Sequence, residues 1–189
     1  MKIVFSMTEE ELIRGCANNE RLAQKRLYER CYSKMFGVCM RYAAGKDMAT
    51  EILNLGFLKV FENIREFQKK GGNLEGWIYR IMVNTAIDFL RSEMRHMHSE
   101  IEKSVYAEDD SNVIAAMGAE QILQMVNELT PAYRAVFNLY VVEGYSHHEI
   151  AGMLRISEGT SKSNLAKARA RLQEKIIQMN EIKLGAYGK

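Results

Sequence analysis

Gly144-Tyr-Ser-His-His-Glu-Ile-Ala-Gly-Met-Leu-Arg-Ile-Ser-Glu-Gly-Thr-Ser-Lys-Ser-Asn-Leu-Ala-Lys-Ala-Arg-Ala-Arg-Leu172 contains, in order, a helix stop, a helix start, a tight turn and a second helix start. Gly144 suits the left-handed position that ends a helix. Ser146 and Glu149 stand at the spacing of a capping box, in which each side chain satisfies a backbone N–H of the opening turn. Ile150, Ala151 and Leu154 are the inward residues of the helix that follows. Arg155-Ile156-Ser157 makes the turn, and Ser157 caps a final helix whose apolar residues Leu165, Ala168, Leu172 and Ile176 lie close to one stripe. Two short amphipathic helices joined in this way describe a helix-turn-helix.

At about 100° per residue the final helix turns Gly159, Thr160, Ser163 and Lys167 outward, with Asn164 and Arg171 on one shoulder. The outward residues are small, polar or basic. Small side chains let a helix approach base edges in a major groove, while Lys167, Arg171, Arg155 and Lys175 can neutralise phosphates. This face suits duplex DNA, although basic residues also decorate solvated helices.

The same punctuation orders the rest of the chain. Its 189 residues include one proline, Pro131, and helix formers dominate while alternating β-branched runs are nearly absent, so the fold is expected to be all-α. Thr8 with Glu11 reads as a capping box and Asn19 as a second N-cap, with helices running to about Ala44 and Gly45 as the stop. Asp47 opens a further helix whose apolar residues Ile52, Leu53, Phe57, Val60, Phe61 and Ile64 end before a basic, glycine-rich loop, Gln68 to Asn73. Leu74 to about Arg95 is helical again. His96 to Gly118 loses periodicity and carries an acidic run, Glu108-Asp109-Asp110, so it reads as a linker. Ile122, Met125, Val126 and Leu129 then share a stripe, and Thr130-Pro131 starts a helix that runs to Val142. The expected organisation is two small helical domains, 8–95 and 119–178, joined by the linker 96–118, the second containing the helix-turn-helix.

Leu74 to Arg95 has two apolar faces, one with Leu74, Ile78, Ile81, Met82 and Phe89, the other with Tyr79, Val83 and Leu90. Between them Trp77, Arg80, Asn84, Asp88, Arg91 and Arg95 fall within about a quarter turn. An aromatic ring can support an unstacked base, arginines can hold a single-strand backbone, and an asparagine can read a Watson-Crick edge. The bland alternative is that Trp77 belongs to the core and the arginines pair with Asp88 and Glu75.

Ala49-Thr-Glu-Ile-Leu-Asn-Leu-Gly-Phe-Leu-Lys-Val-Phe61, Trp77-Ile-Tyr-Arg-Ile-Met-Val-Asn-Thr-Ala-Ile-Asp88 and Leu129-Thr-Pro-Ala-Tyr-Arg-Ala-Val-Phe137, followed by Gly144 to Ala151 and Glu158 to Leu172, together resemble the extracytoplasmic-function (ECF) class of RNA polymerase sigma factors. The resemblance spans roughly residues 8–95 and 119–178. It implies a first domain that binds core RNA polymerase and the minus-ten element of promoter DNA, and a second that binds the minus-35 element. It assigns polymerase binding to Glu51, Asn54 and Leu55; Asn54 is a shortened form of the usual Gln, and Leu55 stands where an acid is common. It assigns promoter melting to Trp77, Tyr79, Arg80 and Asn84 and base capture to the loop Gln68 to Asn73, which adds Lys69, Lys70 and Asn73; Arg91 joins them from the stripe. On the last helix it selects Thr160, Lys162, Ser163, Lys167 and Arg171. Ser161 replaces a common apolar residue, which would put a hydroxyl near the core and loosen that helix. Asn164 replaces a common Arg and favours adenine over guanine. An anti-sigma factor is implied as a further partner.

Other classes fare worse. A net charge of +2 announces no polyanion partner by itself, so the local distribution of cations must decide. Catalysis would rest on His147, His148, His96 or His98, but adjacent histidines on a helix diverge and cannot comfortably share a metal, and no hydrolase or nucleotide-binding motif is present. No enzyme activity, metal or cofactor is expected. Cys16, Cys31 and Cys39 form no CxxC and read as buried, reduced thiols. No apolar run reaches the roughly 20 residues of a membrane span, and Met1 to Ile13 lacks the centre of a signal peptide, so the chain is expected in the cytoplasm without membrane contact. The apolar stripes are accounted for within domains, which favours a monomer. A helix-turn-helix regulator with an N-terminal sensing or dimerisation domain is the stronger competitor; a protein-interaction adaptor leaves the basic last helix unexplained.

Overall fold

The computed structural model describes residues 7–97 and 119–186, all of whose regular elements are helices. The chain divides into two compact units, Met1–Ala86 and Ile87–Lys189. Most of the expected linker, residues 98–118, lies outside the described residues. Among the described residues no helix is long and apolar enough to cross a membrane.

In the first unit, α1 (Glu9–Ala17) begins at the Thr8–Glu11 capping box. Its far end corrects one expectation. Asn19 is not an N-cap: it takes a left-handed φ of 59° while Glu20 N–H donates to the Gly15 carbonyl at 2.9 Å, so it closes α1. Asparagine tolerates that conformation better than most side chains do. The next helix, α2 (Arg21–Tyr42), starts at Glu20 without a side-chain cap. Gly45 then serves as N-cap of α3 (Lys46–Lys70), and Asp47 lies in its first turn. Gln68, Lys69 and Lys70 form the last turn of α3, not loop, so the connection shrinks to Gly71–Asn73 before α4 (Leu74–Met97).

These helices pack along apolar stripes. Leu27, Met35 and Tyr42 of α2, Ile52, Leu53 and Ile64 of α3, and Ile78 and Met82 of α4 are fully buried. Burial of each such side chain contributes about 1.5–3 kcal/mol, against about 0–1 kcal/mol for an exposed ion pair. The core therefore holds the unit together, and surface pairs such as Lys25–Glu29 decorate it. A Cβ on Gly15 would sit 2.6 Å from the Ala23 Cβ, so α1 and α2 touch where only glycine fits. The three cysteines are free and buried; desolvation pushes Cys16 up to about 11 and Cys39 up to about 12, which keeps both thiols protonated and unreactive.

The second unit contains α5 (Ala119–Asn127), α6 (Pro131–Phe137), α7 (His147–Leu154) and α8 (Glu158–Ala186). Pro131 occupies the opening position of α6, as its missing N–H allows, although the Thr130 side chain makes no capping bond. The helix expected to reach Val142 instead widens into a π-helical turn, Asn138–Val142, in which Glu143 N–H reaches back to the Asn138 carbonyl. Gly144 follows with φ 78°. The Ser146–Glu149 capping box opens α7, and Arg155 ends it in a left-handed conformation. Met125, Val126, Leu129, Phe137, Leu139, Ile150 and Leu154 are buried with Leu165, Ala168, Leu172 and Ile176 of α8. Ala151, expected inward, is half-buried. Buried Arg134 donates to the Asn127 carbonyl at 2.8 Å, a cation at the C-terminal end of α5.

Candidate nucleic-acid interface

Where α3 hands over to α4, a cleft of roughly 540 Å³ opens on the first unit. Gly71 and Gly72, at φ 69° and 115°, make the reversal that aligns the two helices along it. Asn73 accepts the Gly76 N–H through its Oδ1 at 2.8 Å and so caps α4, a role the sequence reading missed. Trp77, one turn on, lays its ring against Phe67, with centroids 4.8 Å apart and planes 29° apart. The indole is half-buried: one side is fixed to the core, and its edge lines the cleft. Arg80 and Asn84 follow along α4 as exposed lining residues.

Lys70, Asn73, Trp77, Arg80 and Asn84 therefore share one cavity. Three other expected members do not line it. Lys69 turns to Glu66 at 3.4 Å. Tyr79 points elsewhere, accepting a 2.8 Å hydrogen bond from Arg41, whose guanidinium lies 5.8 Å from the ring centre. Arg91 pairs with Asp88. The opposite wall, missed in the sequence reading, comes from Lys59, Asn63 and Glu66 of α3. Their spacing of four and three residues, continuing to Lys70, marks a polar stripe that could have been found. An aromatic ring, three amides and three cations, set against the one carboxylate of Glu66, line a concave site that can hold an extruded base and its phosphates.

Glu51, Asn54 and Leu55 are exposed together on α3. Leu58 extends that surface at 54% exposure, beside Leu55 at 41%, and Tyr28 donates to the Asn54 Oδ1 at 3.4 Å. Neither Leu58 nor Tyr28 was singled out in the sequence.

On α8, Ser157 caps the helix by accepting the Thr160 N–H at 2.9 Å. Thr160, Lys162, Arg171 and the turn residue Arg155 are exposed, while Ser163, Asn164 and Lys167 are half-buried. Lys162 pairs with Glu158 at 2.9 Å and Arg171 with Glu174 at 3.0 Å; such exposed pairs are weak enough to exchange for phosphates. The Lys162 hydrogen bond holds the Glu158 carboxyl below its usual range. Ser161 departs from expectation: it is fully buried, yet its hydroxyl meets the His147 Nδ1 at 2.9 Å, so the polar group is satisfied instead of loosening the helix. His147 in turn stacks on Tyr140, with centroids 4.5 Å apart. His148 is exposed, and the side chains of His96 and His98 lie outside the described residues.

Among the described residues, helices alone build a cation-lined aromatic cleft in one unit and a helix-turn-helix in the other, an arrangement that suits a DNA-binding protein. The model of sigma-70 region 2 matches residues 27–96, and that of sigma-70 region 4 matches residues 119–172. The ECF RNA polymerase sigma-E factor of Haemophilus influenzae is 23% identical over 90% of this chain and 96% of its own length. The ECF RNA polymerase sigma factor SigM of Mycobacterium tuberculosis is 27% identical over 92% and 87%. A co-crystal structure of the sigma factor RpoE with the anti-sigma factor NepR from Bartonella quintana is similar at 20% identity and a TM-score of 0.47, covering 79% of this chain and 94% of that one. The chain belongs to the sigma-70 family, in its ECF class: it is an alternative RNA polymerase sigma factor that directs promoter-specific initiation. Sigma factors of this family bind core RNA polymerase and promoter DNA. A region 2 match over most of the first unit does not favour the sensing or dimerisation domain that a stand-alone regulator needs.

Proposed function

We propose that the chain divides promoter recognition between domains 8–95 and 119–178, joined through 96–118. The cleft at Lys70, Asn73, Trp77, Arg80 and Asn84 captures a base of the melted minus-ten strand. The gathering of these side chains in one cavity carries this assignment. Lys69 and Arg91 contribute charge to the passing backbone without lining the cleft, and Tyr79 holds α4 against α2 through Arg41. Glu51, Asn54 and Leu55, with Leu58, form the polymerase-binding surface. Ser163 and Asn164 contact bases of the minus-35 duplex, with Thr160 at the rim, while Lys162, Lys167, Arg171 and Arg155 contact phosphates.

In this reading the protein is a cytoplasmic initiation factor with no catalysis, metal or cofactor of its own. It acts as a monomer within the holoenzyme and is held in check by an anti-sigma factor covering the same surfaces. A photo-crosslinking side chain at Asn63, in holoenzyme on a duplex promoter, should capture the non-template minus-ten strand, and one at Lys167 the minus-35 duplex. Crosslinks from both positions to polymerase alone would contradict the assignment.

A further inference from the structure

We propose that His147 is a positioning residue for promoter selectivity: held between Tyr140 and Ser161, it fixes the rotation of the first turn of α8 and so aims the side chains flanking Ser161. The inference rests on the reading of α8 as the base-contacting helix and adds the device that orients it.

The hydroxyl of Ser161 is the odd group in this core. It sits in the fourth position of α8, with no exposed surface, where an apolar side chain would pack without further demands. A buried hydroxyl without a partner destabilises its surroundings, so its position is tied to whatever satisfies it. That partner is the His147 Nδ1 at 2.9 Å, in the opening turn of α7. A hydrogen bond is directional, and this one crosses the turn of the helix-turn-helix to link the first turns of both helices. It therefore resists rotation of α8 about its own axis, which apolar packing along one stripe resists less.

The ring of His147 is itself fixed. Tyr140 lies 4.5 Å away with the ring planes 22° apart, so the imidazole can neither flip out nor tilt without losing the stack. Tyr140 belongs to the π-helical turn, where the wider winding carries it past buried Asn138 and Leu139 to a partly exposed position beside α7. Widened turns of this kind often mark functional positions. Three elements thus converge on one imidazole. Ser161 is bracketed by Thr160 and Lys162, with Ser163 next, and recognition by a helix N-terminus tolerates errors of only about 0.5 Å and 10–20°.

The test uses holoenzyme formed from the full chain and core RNA polymerase on a promoter library randomised in both the minus-35 and minus-ten elements. His147→Phe keeps the stack and loses the hydrogen bond; Ser161→Ala loses the hydroxyl. Each should flatten base preference in the minus-35 element by at least about fivefold while leaving minus-ten preference unchanged. The double variant should be no worse than either single one, because both remove the same link. His147→Asn, whose amide takes the place of the imidazole Nδ1 and can still meet Ser161 although the stack is lost, should restore part of the preference, a rescue that a merely space-filling histidine would not show. Preferences within about twofold of the parent in both single variants would overturn the inference, as would additive losses shared equally by the two elements. If the parent chain shows no minus-35 preference at all, the reading of α8 fails, and this inference with it. Thermal unfolding of each variant separates misaimed from unfolded protein.

Discussion

Asn84 and His147 are two single residues to which the proposals above assign separate roles. Asn84 is exposed on the cleft side of α4, two turns from the fixed ring of Trp77. A stacked base hides its Watson-Crick edge, so a side chain that reads that edge is useful only once the base has left the stack. Asn84→Ala should therefore impair open-complex formation by about 1–3 kcal/mol, roughly 5- to 150-fold, and spare holoenzyme assembly. Permanganate reactivity of promoter thymines measures this, and a pre-melted bubble should rescue only part of the loss; normal melting would make the stripe a solvated face. His147 acts on the other unit. Burial first, then nearby Lys162 and Arg169 against the opposing Glu158, lower its pKa from the ordinary 6.5. Tyr140 and Ser161 face it as neutral groups, and His148 is exposed beside it. The folded chain thus takes up the proton at lower pH than the unfolded chain does. The stabilising contribution is complete above about pH 6.5 and is lost as pH falls through the window below. Thermal midpoints should drop between about pH 8 and pH 5.5, less steeply in His147→Gln; equal slopes would remove the assignment.

Each helix divides its residues between core and partner, and α3 does so most clearly. Ile52, Leu53, Phe57 and Val60 are buried on one side; Glu51, Asn54, Leu55 and Leu58 are exposed on another; Lys59, Asn63 and Glu66 line the cleft on a third. Reversing the charge with Glu51→Arg should weaken competition for core polymerase by about fivefold or more while leaving thermal stability within about 0.5 kcal/mol, since no core atom is touched. Unchanged competition would displace the polymerase surface from this face. The same helices explain what could be read from the chain alone. Capping boxes at Thr8–Glu11 and Ser146–Glu149 are short-range chemistry and are legible at fixed spacing. The end of α3 was harder, because Gln68-Lys69-Lys70 is compatible with helix or loop and only Gly71 forces the break. The π-helical turn leaves no local signal, since it depends on how Asn138 and Leu139 pack inward. Tyr79 was assigned to promoter melting by the family resemblance, whereas helical spacing put it on an apolar face outside the stripe; neither shows that Arg41, 38 residues earlier, reaches its hydroxyl. The His147–Ser161 link was hidden for the same reason: each residue looked unfavourable or idle alone, and only the folded turn joins them.

At the scale of the whole molecule, the chain has two cores and little net charge. With 26 basic against 24 acidic residues it exerts no strong general attraction on DNA, which is why the proposal assigns binding to the local cations of the cleft and of α8. Two modest surfaces on separate units give weak selectivity unless a partner holds them to one promoter at once. Core RNA polymerase is that partner in the sigma-70 family, and selectivity is expected to emerge only in its presence. The most direct measurement is run-off transcription by core polymerase with and without this chain on a randomised promoter library, alongside duplex binding by the chain alone at physiological salt. Transcripts are expected from a defined subset of minus-35 and minus-ten combinations only when the chain is added, with no comparable sequence preference by the chain alone. Selective duplex binding by the free chain, with no new transcripts from core polymerase, would contradict this expectation.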